Sequence, residues 1–373
     1  ESGLFISRDG GLNWLPFQLN LPVTPITDLR VHQGNLIAAT SGRSFWILDD
    51  LNVVQNYQKG EKQLSILPPN PNYLTNSSSS MDDMDASFTG IVGTNGVNAA
   101  SGLVIYYHLP EVKEGEVIQM VIKDQSGAIV HSFSSKSDSL YASYDGGPDA
   151  EPLLSTEKGL NRFVWNMRHG TMLGVKDAYI EGSYQGHKAS PGMYEIVHTN
   201  GSDTATAKAE ILANPTYEVT PADYKEYHTV MKGMEDNYND MIKMVNLLDS
   251  KRKQLEDLVK HLPKESEYQS LKTEGDSLIQ KMLKWDEDMV QRKSKAYDDV
   301  ENFPNKFTAD YLYLINQTES ELPKVNQPSK DLLLEYNTRW TAYLAQANQI
   351  IKQEIPALNT KLWKAGVGAI WMK

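Results

Sequence analysis

Four groups of residues in this sequence have the types that chemistry needs. Asp49-Asp50 sets two carboxylates side by side at the end of an apolar stretch. Such a pair serves a general acid or binds a cation, but at a strand end its commoner work is turn capping, which is the role expected here. Asp82, Asp83 and Asp85 supply hard oxygen donors of the kind Ca²⁺ takes. The EF-hand spacing, with its central Gly and terminal Glu, is missing, so a solvated linker is expected and these three are the weak Ca²⁺ candidates. Tyr179, Tyr184 and His187 lie on a long stretch, residues 169–191, and form a possible ligand or partner loop; aromatics so placed either grip a ligand or fold back over a sheet edge, and the second is expected. Gly90, Gly93 and Gly96 lack the G-x-G-x-x-G spacing and any following helix pattern, which argues against a phosphate cradle.

The remaining chemistry is sparse. The eight His residues are scattered without a ligand spacing, and neither H-E-x-x-H nor G-x-S-x-G occurs. No catalytic residue is nominated, and apart from Ca²⁺ no cofactor. Cysteine is absent, which excludes disulfides, thiolate zinc sites and a cysteine nucleophile. The formal charge is −12. It is uneven: residues 1–220 hold 14 Lys+Arg against 24 Asp+Glu, while residues 221–373 hold 22 against 24. An acidic first half disfavours phosphate backbones and anionic surfaces, so nucleic acid is not an expected partner. No apolar run is long enough to span a bilayer, so no membrane insertion is expected either.

The elements that must position these groups fall into four segments: 1–51, 52–100, 101–214 and 220–373. In the first, short apolar runs at Leu4 to Ile6, Ile26 to Val31, Leu36 to Thr40 and Ser44 to Leu48 alternate with turn signals such as Gln33-Gly34-Asn35. Residues 52–100 read as an extended linker, rich in Pro and Ser. From Gly102 onward alternating strands return, Leu103 to Leu109, Val117 to Lys123, Ile129 to Phe133, Leu160 to Met167, Met193 to His198 and Thr204 to Ile211, which together predict an immunoglobulin-like antiparallel β-sandwich with Trp165 in its core. Thr220-Pro221-Ala222-Asp223 announces a helix. Columns at Tyr227, Met234, Met241, Leu248, Leu255 and Tyr224, Met231, Tyr238, Val245 predict roughly forty helical residues, stopped by Pro263. Later helices are expected at Lys264 to Ala296, at Ala309 to Gln317 and from a Ser329 cap to Pro356, giving an up-and-down antiparallel bundle. The fold class expected is therefore multidomain β plus α.

Ser7-Arg8-Asp9-Gly10-Gly11-Leu12-Asn13-Trp14 resembles the Asp-box repeat S-x-D-x-G-x-T-W, with Asn13 where Thr is usual. In that repeat Ser7, Asp9, Gly11 and Trp14 would be structural: the hydroxyl and carboxylate satisfy turn N–H groups, Gly supplies positive φ, and Trp covers the hairpin base. Trp14 is accordingly expected to be buried. The motif with its four or five strands makes one terminal blade of a β-propeller, and a blade needs neighbours to bury both faces. The order of blade, linker, sandwich and helices resembles the C-terminal region of exported bacterial proteins with Asp-box (BNR) or sortilin-like propellers, often labelled glycosyl hydrolases.

The resemblance implies an extracytoplasmic location, at the periplasm, cell surface or beyond. It also implies a non-catalytic accessory role: bracing the propeller or docking it to a cell-surface complex, with upstream blades of the parent chain as first partner. The alternative is a share in a sialidase-like, glycan-acting hydrolase whose active site lies on upstream blades. Arg30, Arg43 and Tyr57 do not match the arginine cluster or the tyrosine nucleophile of sialidases, so no catalytic role carries over to them.

Overall fold

The computed structural model describes residues 3–57, 61–75, 79, 82, 98–139, 141–320 and 322–370. Asp83, Asp85, Gly90, Gly93 and Gly96 lie outside the described residues. The fold is mixed β and α, and the chain divides into two compact units that interleave in sequence. The first takes Glu1–Ser137, Pro152–Arg168 and Lys188–Thr216; the second takes Asp138–Glu151, His169–His187 and Tyr217–Lys373.

The first unit begins with a two-residue hairpin, β1 (Phe5–Ile6) against β2 (Leu15–Pro16). The turn between them is held by side chains. Ser7 Oγ accepts the Gly11 N–H at 2.7 Å, and the Asp9 carboxylate accepts the Asn13 backbone N–H at 2.9 Å and the Asn13 amide at 2.7 Å. Hydrogen bonds from Asn13, then from Ser7, hold the Asp9 carboxyl down at about 2. Gly10 and Gly11 take φ of 74° and 95°, which a Cβ would strain. Three strands follow in one antiparallel sheet: β3 (Ile26–His32), β4 (Asn35–Thr40) and β5 (Phe45–Leu48). A short helix, α1 (Leu51–Asn56), comes next, entered through Asp50 at φ 54°.

Two further sheets share one core. After β6 (Ser65–Ile66) and β7 (Asn72–Tyr73) come β8 (Leu103–Leu109), β9 (Ile118–Lys123), β10 (Ile129–Ser134), β11 (Gly159–Trp165), β12 (Gly192–Asn200) and β13 (Asp203–Leu212). One sheet has the order β10-β9-β12-β13-β7, the other β11-β8-β6. Alternation decides what faces inward: Leu103, Ile105 and Tyr107 on β8, Phe163 and Trp165 on β11, Met120 and Ile122 on β9 and Ile196 on β12 meet in a single cluster. Trp165 is fully buried, as its aromatic strand predicts. The linker expectation fails for residues 61–75. β6 pairs with β8 and β7 runs parallel to β13, because Ile66 and Leu74 each have apolar surface to place against the core.

The second unit is helical. α2 (Pro221–Lys260) starts on a capping box, with the Asp223 N–H donating to Thr220 Oγ1 and the Thr220 N–H donating to the Asp223 carboxylate. α3 (Gln269–Met289) returns along it, with Gly275 beside Val259. It stops seven residues short of the expected Ala296. α4 (Phe307–Thr318) and α5 (Gln327–Gln349) follow. The cap of α5 is Asn326, whose side chain accepts the Ser329 N–H at 2.8 Å; Ser329 itself is in the first turn, so the expected Ser329 cap is corrected. At Ile350–Glu354 the chain passes through a π-helical turn into α6 (Ile355–Lys364), with Pro356 in its first turn. The helix is therefore not ended by Pro356: the backbone stays helical across it, and the π turn just before it is the local irregularity that a proline, lacking an N–H to donate, goes with.

The segment boundaries also differ from those expected. Residues 138–151 and 169–187 interrupt the β-rich range yet belong to the second unit. The reason is apolar: Met172, Val175, Ala178, Ile180 and Tyr184 are buried in one cluster with Met231, Met234, Tyr238 and Met241 of α2.

Candidate functional site

The sites named from sequence scatter. Asp50 accepts from the Asn70 amide at 2.9 Å, and burial pushes the carboxyls of both Asp49 and Asp50 up. Asp50 stands at the N-cap position of α1, but its side chain makes no capping hydrogen bond, so the expected turn-capping role is corrected: the carboxylate is held by Asn70 instead. The Asp82 carboxylate accepts the N–H groups of Ser79 at 2.8 Å and Ser101 at 2.6 Å, together with the Ser101 hydroxyl. Arg30 is exposed and paired with Asp28 at 3.3 Å. The Asp-box residues make the expected turn bonds, but Trp14 is 61% exposed, its Nε1 donating to the Gly11 carbonyl at 3.1 Å. The expected burial of Trp14 is thus corrected: among the described residues no second layer covers the hairpin base.

The loop of Tyr179, Tyr184 and His187 is where polar chemistry gathers. Its two arms run together, the His169 N–H donating to the His187 carbonyl at 2.9 Å and the Met172 N–H to the Tyr184 carbonyl at 2.7 Å. Gly186 permits this closeness, since a β-carbon there would lie 2.5 Å from the His169 carbonyl oxygen. Irregular backbone needs partners for its N–H and C=O groups, and α2 supplies them. Asn239 accepts the Leu173 N–H at 2.8 Å; Asn246 accepts the Lys176 N–H at 3.2 Å and donates to the Gly174 carbonyl at 3.2 Å. Asn316 on α4 does the same for Ser183, accepting its N–H and donating to its carbonyl. Tyr184 and His187 are buried and Tyr179 half-buried, so the loop packs with helices rather than over a sheet edge.

At the loop's base three imidazoles converge. One ring nitrogen from each of His169, His187 and His228 lies within 4.8 Å of the others, His187 being buried and the other two half-buried. The rings of His169 and His187 stack at 4.1 Å between centroids. His187 Nδ1 sits 2.9 Å from both oxygens of Glu235, whose Oε1 also accepts the His187 backbone N–H at 2.6 Å. With Glu235 ionised the carboxylate accepts and the hydrogen sits on Nδ1, which leaves the Nε2 lone pair facing His228 Nδ1 at 2.9 Å. Glu235 is 4% exposed. Burial raises its carboxyl to about 7, with the His187 N–H pulling the other way.

No family model, curated protein or solved structure matches this chain.

The histidine group escaped the sequence reading because its members are 18 and 41 residues apart and a loop brings them together. One signal was present. His228, Glu235, Asn239 and Asn246 are spaced by 7, 4 and 7 residues, which puts them on one stripe of α2 beside its apolar columns. A polar stripe at that spacing within a buried helix has something to hold.

Proposed function

We propose that residues 3–50 act as a β-propeller blade, and that the chain is a non-catalytic accessory region of an exported Asp-box or sortilin-like protein, its blade faces taken up by neighbouring blades. The observation that carries this reading is the three-stranded sheet. Directly opposed residues share a face, so Leu29, Val31, Leu36, Ala38, Trp46 and Leu48 form one face, and Ile37, Ala39, Phe45 and Ile47 the apolar part of the other. Both faces carry exposed side chains: Val31 is 65% exposed on the first, Phe45 73% and Ile47 60% on the second. Among the described residues, neither core cluster takes a side chain from residues 3–50.

A sheet that exposes apolar side chains on both faces is suited to a place between two layers. The Asp-box turn is a propeller device, which names adjacent four-stranded blades as those layers. In this reading the two sheets sharing a core are the immunoglobulin-like sandwich and the helical unit is a bracing bundle, both accessory to the propeller, at an extracytoplasmic site. Docking to a cell-surface complex would use surfaces outside the blade. No described helix is long and apolar enough to cross a membrane.

The test compares one substitution in two contexts. Val31→Asp should change the denaturation midpoint of the 373-residue chain little, within about 0.5 kcal/mol, as exposed sites do. In the same chain carrying the preceding blades of its parent, it should cost about 2 kcal/mol or more, because burial of a Val is worth about 1.5–3 kcal/mol and an unpaired carboxylate adds to the loss. Equal, small effects in both would defeat the proposal.

A further inference from the structure

We infer that His169, His187 and His228 form a binding site for a divalent first-row transition metal, Zn²⁺ foremost, in the helical unit and independent of the blade. Three features point to it. The donors are imidazole nitrogens, which suit Zn²⁺, Cu²⁺, Ni²⁺ and Co²⁺ and do not suit Ca²⁺ or Mg²⁺. The nitrogens already lie within 4.8 Å of one another. Glu235 holds His187 by Nδ1 and by its backbone N–H, which fixes the tautomer whose Nε2 can bind a metal, as carboxylates behind ligating histidines do.

The geometry decides how much must move. Tetrahedral Zn–N bonds of about 2.0–2.1 Å place their nitrogens about 3.3 Å apart. His187 Nε2 and His228 Nδ1 are 2.9 Å apart, sharing a hydrogen. Coordination therefore requires about 0.4 Å of opening between these two, and the His169 ring, now stacked on His187, must turn so that its nitrogen closes from within 4.8 Å to about 3.3 Å of the others. The proton balance closes within the ring: the His228 hydrogen moves from Nδ1 to Nε2, so the neutral imidazole offers Nδ1 to the metal and no proton is lost. His187 is buried and pinned, while His169 and His228 are half-buried, so the two ligands that must adjust are those that reach solvent. Three protein ligands leave a fourth donor to come from water or an added ligand.

The stripe on α2 gives the arrangement rigidity. Glu235 and His228 stand two turns apart on a helix of 40 residues, and Asn239 and Asn246 fix the loop that carries His169 and His187. The ligands thus come from a single loop and a single helix.

The experiment titrates Zn²⁺ into the untagged, chelator-treated 373-residue chain by calorimetry, with Co²⁺ absorption as a second readout. One ion per chain is expected, with the visible bands of tetrahedral Co²⁺. His169→Ala and His228→Ala should each abolish binding, whereas His261→Ala, at an exposed helix end, should leave it unchanged. Glu235→Gln should weaken it by about 10- to 100-fold. Far-ultraviolet circular dichroism of each variant confirms folding, and the two half-buried histidines are chosen because their loss spares the core. Absence of binding in the parent chain overturns the inference. So does binding that survives both substitutions, and so does loss in one variant alone, which would describe a two-ligand surface site.

Discussion

At Gly186 one hydrogen atom's worth of space separates a closed loop from an open one. A β-carbon there meets the His169 carbonyl at 2.5 Å, and backbone cannot swing aside as a long side chain can. Gly186→Ala should destabilise the helical unit by about 1–3 kcal/mol, the usual cost of overpacking. Gly170→Ala, with nothing near its β-carbon, should be nearly neutral; urea midpoints of the two variants check the contrast. Trp14 gives the opposite lesson. Truncation of a buried aromatic costs about 3–5 kcal/mol, but this ring is mostly exposed, so Trp14→Ala should cost at most about 1 kcal/mol in this chain. A drop in thermal midpoint as large as that of a core truncation would refute it. The residues of the turn were legible because Ser, Asp and Gly act within five positions of one another. The exposure of Trp14 was not, because a motif states what a side chain needs and says nothing of whether the covering layer is in the same chain.

At the scale of elements, β12 carries an imidazole in the wrong place for a charge. His198 is fully buried in the row of Tyr194 and Ile196, its ring 4.6 Å from that of Tyr107. Neither ring nitrogen has a hydrogen-bond partner among the described residues. Burial lowers its pKa to about 4 from an ordinary 6.5. The folded state therefore favours the neutral ring: the stabilisation is complete above pH 6.5 and is lost as pH falls towards 4, on the order of 3 kcal/mol in all. His198→Leu should remove that slope, so the gap between variant and parent chain in denaturation midpoint should widen in the variant's favour from pH 7 to pH 4.5. A gap that stays constant over this range would dismiss the effect. The strand itself was legible from alternation, as was α2 from its capping box and its heptad columns. Less legible were the π turn at Ile350–Glu354 and the true cap at Asn326, since Asn326 and Ser329 are both good capping residues and only packing chooses between them.

For the whole molecule, the interleaving of units governs what can be cut. The helical core includes Met172, Val175, Ile180 and Tyr184 from the loop, and burying each such side chain is worth about 1.5–3 kcal/mol. Their sum rivals the 5–15 kcal/mol that typically stabilises a domain. A fragment of residues 217–373 should therefore keep much of its helix content but bind a hydrophobic dye and melt without cooperativity, and a peptide of residues 169–187 added in trans should restore cooperativity. A fragment that melts sharply by itself would show that the loop is dispensable. Composition and periodicity place boundaries where pattern changes, and here the pattern changes at Thr220, while the packing changes first at residue 138. That arrangement also bears on inheritance. A crossover between genes at residue 216, the natural-looking seam, would hand on the helices without the loop that completes them and the strands with a loop that has lost its seat. A recombinant that keeps the loop with its helices must therefore inherit the strands on either side of that loop as well.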